Sequence, residues 1–191
     1  MSKLTMLFLF LVKLCYAELD PYENFQKYMN SPDGRKLSLG VFITHSENNF
    51  KSEGTLHYLG DKHYLFYSED VGISFENGVL KTINKDTKQI IYDSVFGNNL
   101  SILDILCGTQ DGINIDEVIL ERNNYKIEFS VEEWDMAGTL WLANSGEPKK
   151  LMVGASDDSQ IIVNISPFNG SLKENVIFTD TSSYEVIDLR E

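Results

Sequence analysis

Residues 54–95 read GTLHYLGDKHYLFYSEDVGISFENGVLKTINKDTKQIIYDSV, and this stretch decides the class of fold. Apolar and polar side chains alternate over short runs, as they do in β-strands that bury one face. The runs are separated by turn residues, at Gly60-Asp61, Asn77-Gly78 and Asn84-Lys85-Asp86. The pattern predicts an antiparallel meander with one apolar face, made by Leu56 and Tyr58, Tyr64 and Phe66, and Ile73 and Phe75.

The same alternation continues on both sides of this stretch. Before it lie residues 37–44 (LSLGVFIT), and after it residues 125–132 (YKIEFSVE) alternate most regularly. Further strands are predicted in GTLWLAN, KKLMVGAS, QIIVNIS, ENVIFT and YEVIDL. About ten or eleven strands with two helices, and no repeat or linker, indicate one mainly β domain over residues 18–191. A single antiparallel sheet of this size is expected to curl round a cavity without closing.

Two helices are predicted among the strands. In the first, Asp20 is the N-cap, Pro21 occupies the first helical position and Ser31-Pro32 ends the helix. The second is short and strongly apolar, runs from Asn99 to Leu106 and stops at Gly108. We expect Asn98 or Asn99 to cap it.

The first seventeen residues have the features of a secretory signal peptide. Lys3 precedes the mainly apolar residues 4–14, which Lys13 interrupts. Cys15 and Ala17 are the small side chains three residues and one residue before Glu18, as cleavage after Ala17 requires. An uncleaved N-terminal membrane anchor is the alternative, but the apolar run is short for spanning a bilayer. Lipidation of Cys15 is disfavoured because Leu14, directly before it, is not small. The mature chain is therefore expected to be exported.

Charge and cysteine content restrict the partners and the means of stabilisation. The chain has 29 acidic and 16 basic residues, a net charge of −13. Such a charge disfavours binding to nucleic acid or to anionic membrane surfaces. Loss of the signal peptide leaves Cys107 as the only cysteine, so the mature chain cannot form an intramolecular disulfide. We expect a monomer held together by its core.

No pattern in the sequence indicates an enzyme, a metal site or a cofactor. His45, His57 and His63 have no metal-binding spacing, and Cys107 lies in an apolar segment without a basic neighbour. Acidic pairs at 132–135 (EEWD) and at Asp157-Asp158 adjoin predicted turns, where carboxylates are usually solvated. A secreted hydrolase using such a pair is therefore the least favoured alternative.

The order of these elements resembles the outer-membrane lipoprotein carrier family, the LolA-type periplasmic chaperones. The similarity covers nearly the whole mature chain, and its motifs become specific only in combination. The matching segments are Phe42-Ile43-Thr44, residues 54–59 (GTLHYL), Tyr64-Leu65-Phe66, Asn77-Gly78, the helix at 99–106 and residues 178–188 (FTDTSSYEVID).

This resemblance implies an unclosed β half-barrel with a helical lid, whose apolar cavity holds the acyl chains of lipoproteins. It implies three partners: acylated lipoproteins, an inner-membrane ABC release complex and an outer-membrane acceptor lipoprotein. The cavity lining is expected to comprise Phe42, Leu56, Tyr58, Tyr64, Phe66, Ile73 and Phe75, and the gating residues of the lid Ile102, Leu103 and Leu106. The family's Arg-Pro, whose Arg holds the lid shut, is replaced by Gly60-Asp61, so any latch must be built differently.

Two other functions fit the same fold. One is a lipid-anchored outer-membrane acceptor, which would require Cys15 to be acylated. The other is a periplasmic sensor or regulator that detects lipid or misfolded protein, although such proteins normally carry a further domain.

Overall fold

The structure is a computed structural model and describes residues 20–45, 48–94, 101–109, 112–154, 159–169 and 181–190. Four predictions lie outside these residues: the signal peptide, the caps Asn98 and Asn99 of the second helix, the acidic pair Asp157-Asp158 and the strand at 174–179.

The described residues form one twelve-stranded sheet that is curved and does not close. Its order is β12-β6-β5-β4-β3-β2-β1-β11-β10-β9-β8-β7, so β12 and β7 are the two edges. Neighbouring strands are antiparallel except β12, which runs parallel to β6. The strands are β1 Arg35–His45, β2 Asn48–Gly60, β3 His63–Ser68, β4 Val71–Glu76, β5 Val79–Asn84, β6 Gln89–Ser94, β7 Asn114–Glu121, β8 Asn124–Val131, β9 Met136–Ala143, β10 Pro148–Gly154, β11 Gln160–Pro167 and β12 Glu185–Asp188.

The predicted meander is confirmed as strands β2 to β6. Asn77 and Gly78 both have positive φ, 52° and 77°, as a two-residue type I′ hairpin turn requires. Leu56 pairs with Phe66, and Tyr58 with Tyr64. Directly paired residues share a face of the sheet, so the apolar face predicted from the alternation exists.

Two helices accompany the sheet. Helix α1 spans Pro21–Met29, and the Asp20 side chain accepts a hydrogen bond from the Tyr22 amide at 2.8 Å, as predicted for an N-cap. Helix α2 spans Ile102–Cys107 and ends at Gly108, whose φ of 67° is the left-handed cap expected there. Its N-cap is Ser101, and the predicted caps Asn98 and Asn99 lie outside the described residues.

One hydrophobic core joins both helices to one face of the sheet, which we call the helix face. Phe25 and Met29 of α1 and Leu106 of α2 are completely buried in it. The sheet contributes from both of its halves, through buried residues such as Leu56 on β2 and Leu140 on β9. The opposite face is called the outer face.

Candidate functional site

The predicted cavity lining divides into a closed part and a half-open part. Leu56, Tyr58 and Tyr64 lie on the helix face and are almost fully buried beneath the helices. Phe66, Ile73 and Phe75 continue the same face but are only partly buried, against the edge of the core. Six of the seven predicted lining residues therefore form one continuous apolar wall.

The prediction for Phe42 is wrong, because this residue lies on the outer face. Leu37 pairs with Leu56 on the helix face, and Phe42 is an odd number of residues along β1 from Leu37. Side chains alternate between faces, so Phe42 must point away from the wall. Its cross-strand partner is Lys51, whose ammonium lies 5.6 Å from the centre of the Phe42 ring.

Helix α2 covers the closed part of the wall. Ile105, Leu106 and Cys107 are buried in the core, whereas Ile102 and Leu103 are half-buried at its margin. All three predicted gating residues, Ile102, Leu103 and Leu106, thus lie against the core. Ile105 and Cys107 of the same helix, which were not predicted, are buried there as well. The lid contacts the core through its second half and leaves its first turn accessible.

Two hydrogen bonds tie the ends of α2 to the rest of the protein. At its N-terminus the hydroxyls of Ser101 and Tyr64 share a hydrogen bond of 3.1 Å. At its C-terminus the Gln26 side-chain amide donates to the Gly108 carbonyl at 3.1 Å, which links α2 to α1. These contacts attach both ends of α2 to the rest of the protein without involving Gly60-Asp61.

The environment of Tyr64 keeps its phenol protonated. Burial, reinforced by the negative charge of Asp104, raises the pKa of Tyr64 well above its usual value, although the Ser101 hydrogen bond acts in the opposite direction. The Tyr64 ring also stacks on Phe75, with 5.5 Å between ring centres. Tyr64 therefore belongs both to the apolar wall and to the polar link with the lid.

Helix α2 begins with a capping box that the sequence analysis missed. Ser101 Oγ accepts from the Asp104 amide at 3.2 Å, and Asp104 Oδ2 accepts from the Ser101 amide at 2.8 Å. The spacing Ser-x-x-Asp before an apolar run is a known sign of such a start and could have identified Ser101. Six residues are too few for an isolated helix, so α2 depends on its caps and on the core beneath it.

Cys107 is completely buried under the lid. Burial raises the pKa of its thiol well above the ordinary value, and the charge of Asp104 adds to this effect. The thiol consequently stays protonated and shielded from reagents while α2 is in place.

The remaining polar candidates whose side chains the structure describes do not converge on one site. Within the described residues, no cluster of three or more His, Cys, Asp or Glu side chains could hold a metal ion. Glu132 and Asp135 are exposed around the short 3₁₀ turn Glu132–Trp134. None of the helices in the described part of the chain is long and apolar enough to cross a membrane.

The outer face carries a shallow pocket of about 570 Å³ that the sequence analysis did not predict. It lies over β11, β1, β2 and β3, and its walls include the polar side chains of Ser38, Thr55, Glu69 and Asn164. A pocket of this composition is unsuited to an acyl chain because burial there would desolvate polar groups without pairing them.

Comparisons with known proteins find similarity in fold but not in sequence. No protein-family model matches the chain, and no curated protein does. Among solved structures, an uncharacterized conserved protein from Thermus thermophilus superposes with a TM-score of 0.54 at 8% identity, covering 88% of this chain and 96% of that one. A LolA superfamily protein from Nitrosomonas europaea gives 0.46 at 9% identity, with coverages of 84% and 96%. Lipoprotein LppX from Mycobacterium tuberculosis gives 0.38 at 10%, with coverages of 82% and 96%.

At an identity of 8%, the superposition on the Thermus thermophilus protein shows a similar fold and assigns no function to this chain. The architecture of one unclosed curved sheet with two helices packed on one face is the fold class predicted from the sequence, and that prediction is confirmed.

Proposed function

We propose that this protein is a periplasmic carrier of acylated lipoproteins, which holds their acyl chains against the helix face beneath α2. It would receive them from an inner-membrane ABC release complex and deliver them to an outer-membrane acceptor. The observation that carries the proposal is the continuous wall from Leu56 to Phe75, covered by a short apolar helix with few polar attachments.

The energetics favour exchange between lid and cargo. Each acyl methylene in water costs about 0.8 kcal/mol, so a chain of about 16 carbons costs about 12 kcal/mol to expose. Lifting α2 would expose Ile105 and Leu106, at about 1.5–3 kcal/mol each, and break two hydrogen bonds worth about 0.5–1.5 kcal/mol each. The total of about 4–9 kcal/mol is below the gain from burying one chain, so cargo can displace the lid.

The half-open part of the wall gives cargo a place to begin. Phe66, Ile73 and Phe75 are half-buried at the margin of the core, as are Ile102 and Leu103 in the first turn of α2. Tyr64 connects the two groups, because its ring stacks on Phe75 and its hydroxyl meets Ser101 at the start of α2. An acyl chain can contact these side chains before the lid moves. Its progress inward would then replace the contacts of Ile105 and Leu106 with its own, and the return of α2 would help to expel it at the acceptor.

The proposal is tested by lipoprotein release from inner-membrane vesicles. Phe66→Glu and Leu103→Glu each place a charge in the acyl path, at half-buried positions where a carboxylate can still reach water. We expect each variant to fold, by circular dichroism, and to lose release activity. Phe42→Glu is the matched control, because it makes the same aromatic-to-acid change on the outer face and should leave release unchanged. Normal lipoprotein release by both Phe66→Glu and Leu103→Glu would refute the assignment.

A further inference from the structure

Strand β7 is a free edge of the sheet at the opposite end from β12. It pairs with β8 on one side, and no strand within the described residues pairs with its other side. Every residue of Asn114–Glu121 except Ile119 is exposed. Its outward-facing backbone N–H and C=O groups are therefore open to another extended chain.

Three of the large apolar side chains that the protein exposes are on this strand. Ile115 is 36% exposed, Val118 42% and Leu120 61%. They pair with Phe129, Ile127 and Tyr125, respectively, and so lie in one row on the helix face. This row continues the apolar face of the sheet beyond the area that the helices cover.

A β-bulge creates this row. The register shifts between Ile115 and Glu117, leaving Asp116 as the extra residue, and the Ser130 hydroxyl donates to the Asp116 carboxylate at 3.1 Å. In a regular strand, Ile115 would share a face with Glu117. The bulge turns Ile115 to the side of Val118 and Leu120.

The other face of the same edge is acidic. Glu117 pairs with Glu128, and Glu121 lies further along on that face, with the half-buried Ile119 between the two glutamates. A hydrogen bond to Glu128 at 2.6 Å is the main cause that raises the pKa of Lys126, and the charges of Glu121 and Glu117 contribute to the increase. Three carboxylates on this face thus outnumber its one ammonium, and the edge carries excess negative charge.

We propose that β7 binds one extended segment of a partner protein by strand addition, and that this segment alternates apolar with basic residues. Its apolar side chains would continue the row of Ile115, Val118 and Leu120, and its basic ones would meet Glu117 and Glu121. Strand addition supplies main-chain hydrogen bonds, and the two faces of β7 supply specificity.

A second copy of the chain is a poor occupant of this edge. Pairing β7 with itself would bring the acidic face of one copy beside the acidic face of the other, and like charges opposed across strands are destabilising. The net charge of −13 adds to that repulsion. Charge complementarity therefore selects a basic partner.

The first test uses two labelled peptides of about seven residues with equal lysine and valine content. One alternates Lys and Val, and the other groups the lysines at one end. We expect the alternating peptide alone to bind, and to slow amide hydrogen exchange in β7 about tenfold or more. Equal binding of both peptides, or binding without protection of β7, would show simple charge attraction and overturn the proposal.

The second test reverses the charges of the edge. In the double variant Glu117→Lys with Glu121→Lys, binding of the Lys/Val peptide should fall about tenfold or more, and a matched Glu/Val peptide should bind instead. Leu120→Ser, which changes the apolar row without altering the charge, should weaken binding of the Lys/Val peptide to the wild type and of the Glu/Val peptide to the double variant. All three positions are exposed, so the fold should survive. Unchanged peptide preference in the double variant, or β7-mediated dimers of the wild type in light scattering, would contradict the proposal.

Discussion

Tyr64 shows how one residue can serve both the core and the lid. Its ring stacks on Phe75 in the apolar wall, and its hydroxyl meets Ser101 at the start of α2. Tyr58, its cross-strand neighbour, makes the equivalent contact with α1, because its hydroxyl donates to Asn30 Oδ1 at 2.9 Å. Two adjacent tyrosines on the sheet thus hold two different helices.

Replacing Tyr64 by Phe should loosen the lid without disturbing the core. The variant loses one hydrogen bond, which costs about 0.5–1.5 kcal/mol, and keeps the buried ring. We expect amide exchange in α2 to become about fivefold faster, as a change of about 1 kcal/mol implies. Tyr58→Phe is the matched control and should accelerate exchange at the end of α1 instead. Equal exchange of α2 in the two variants would argue against a latch at Tyr64.

Gly54 provides a second prediction at this scale. An alanine there would place its Cβ 2.5 Å from the Phe66 ring and 2.7 Å from the Tyr67 carbonyl oxygen. Gly→Ala in a strand would otherwise gain roughly 0.5–1 kcal/mol, but overpacking costs about 1–3 kcal/mol, so the clash decides the sign. We expect Gly54→Ala to lower the urea midpoint and to displace Phe66. Gly154→Ala, with no atom within 4 Å of its Cβ, should not be destabilised.

At the scale of elements, α2 is a helix whose stability comes mostly from its surroundings. It has six residues, a capping box at Ser101, a glycine cap at Gly108 and one buried apolar side. Such a short helix is unstable alone in water, so each cap and contact contributes a large share of its stability. In the proposed function, such an element leaves the core at a cost that bound acyl chains offset.

Ser101→Ala should therefore lower the stability of α2 more than a typical surface substitution does. Loss of the N-cap costs about 1 kcal/mol, and Tyr64 loses its partner at the same time. In a double-mutant cycle with Tyr64→Phe, the effects on α2 exchange should be coupled by at least about 0.5 kcal/mol. Ser101→Thr, which retains a hydroxyl, should restore most of the protection. Strictly additive effects would show that the two hydroxyls act independently.

The strands were predictable from sequence because each residue of a strand has a fixed face. That rule alone identifies the wall from Leu56 to Phe75, and turn residues such as Asn77-Gly78 identify reversals between the strands. It also implies that Phe42, which alternates with Leu37, Leu39 and Val41, must lie on the other face, so the wrong assignment came from following the family resemblance instead.

Other features of the fold depend on contacts that alternation does not encode. The bulge at Asp116 changes the faces of β7, and the sequence NIDEVILE gives no regular alternation from which to predict it. The parallel pairing of β12 with β6 joins segments almost a hundred residues apart and depends on the whole topology. The hydrogen bond from Gln26 to Gly108, which joins the two helices, likewise depends on the whole topology.

At the scale of the whole molecule, one sheet supports two regions of different character. Near its middle, the helix face is closed by α1 and α2, and this is where Leu56, Tyr58 and Leu140 are buried. Towards β4 on one side and β7 on the other, the same face loses its cover, so Phe75 and Leu120 become accessible. Cargo entry and partner docking are thus proposed at different margins of a single apolar surface.

Cys107 supplies a built-in reporter of lid opening for the whole molecule. In a Cys15→Ser chain it is the only thiol, and it is completely buried, with its pKa raised by that burial. We therefore expect slow alkylation by iodoacetamide in the free protein, because reaction needs both exposure and ionisation of the thiol.

A diacylated lipopeptide that displaces α2 should accelerate alkylation of Cys107 about tenfold or more at constant pH, whereas the same peptide without acyl chains should not. Leu103→Glu should abolish the acceleration, because it blocks the acyl path, while Phe42→Glu should preserve it. Alkylation that the lipopeptide leaves unchanged or slows would mean that acyl chains bind without moving the lid, and the exchange mechanism would then be wrong.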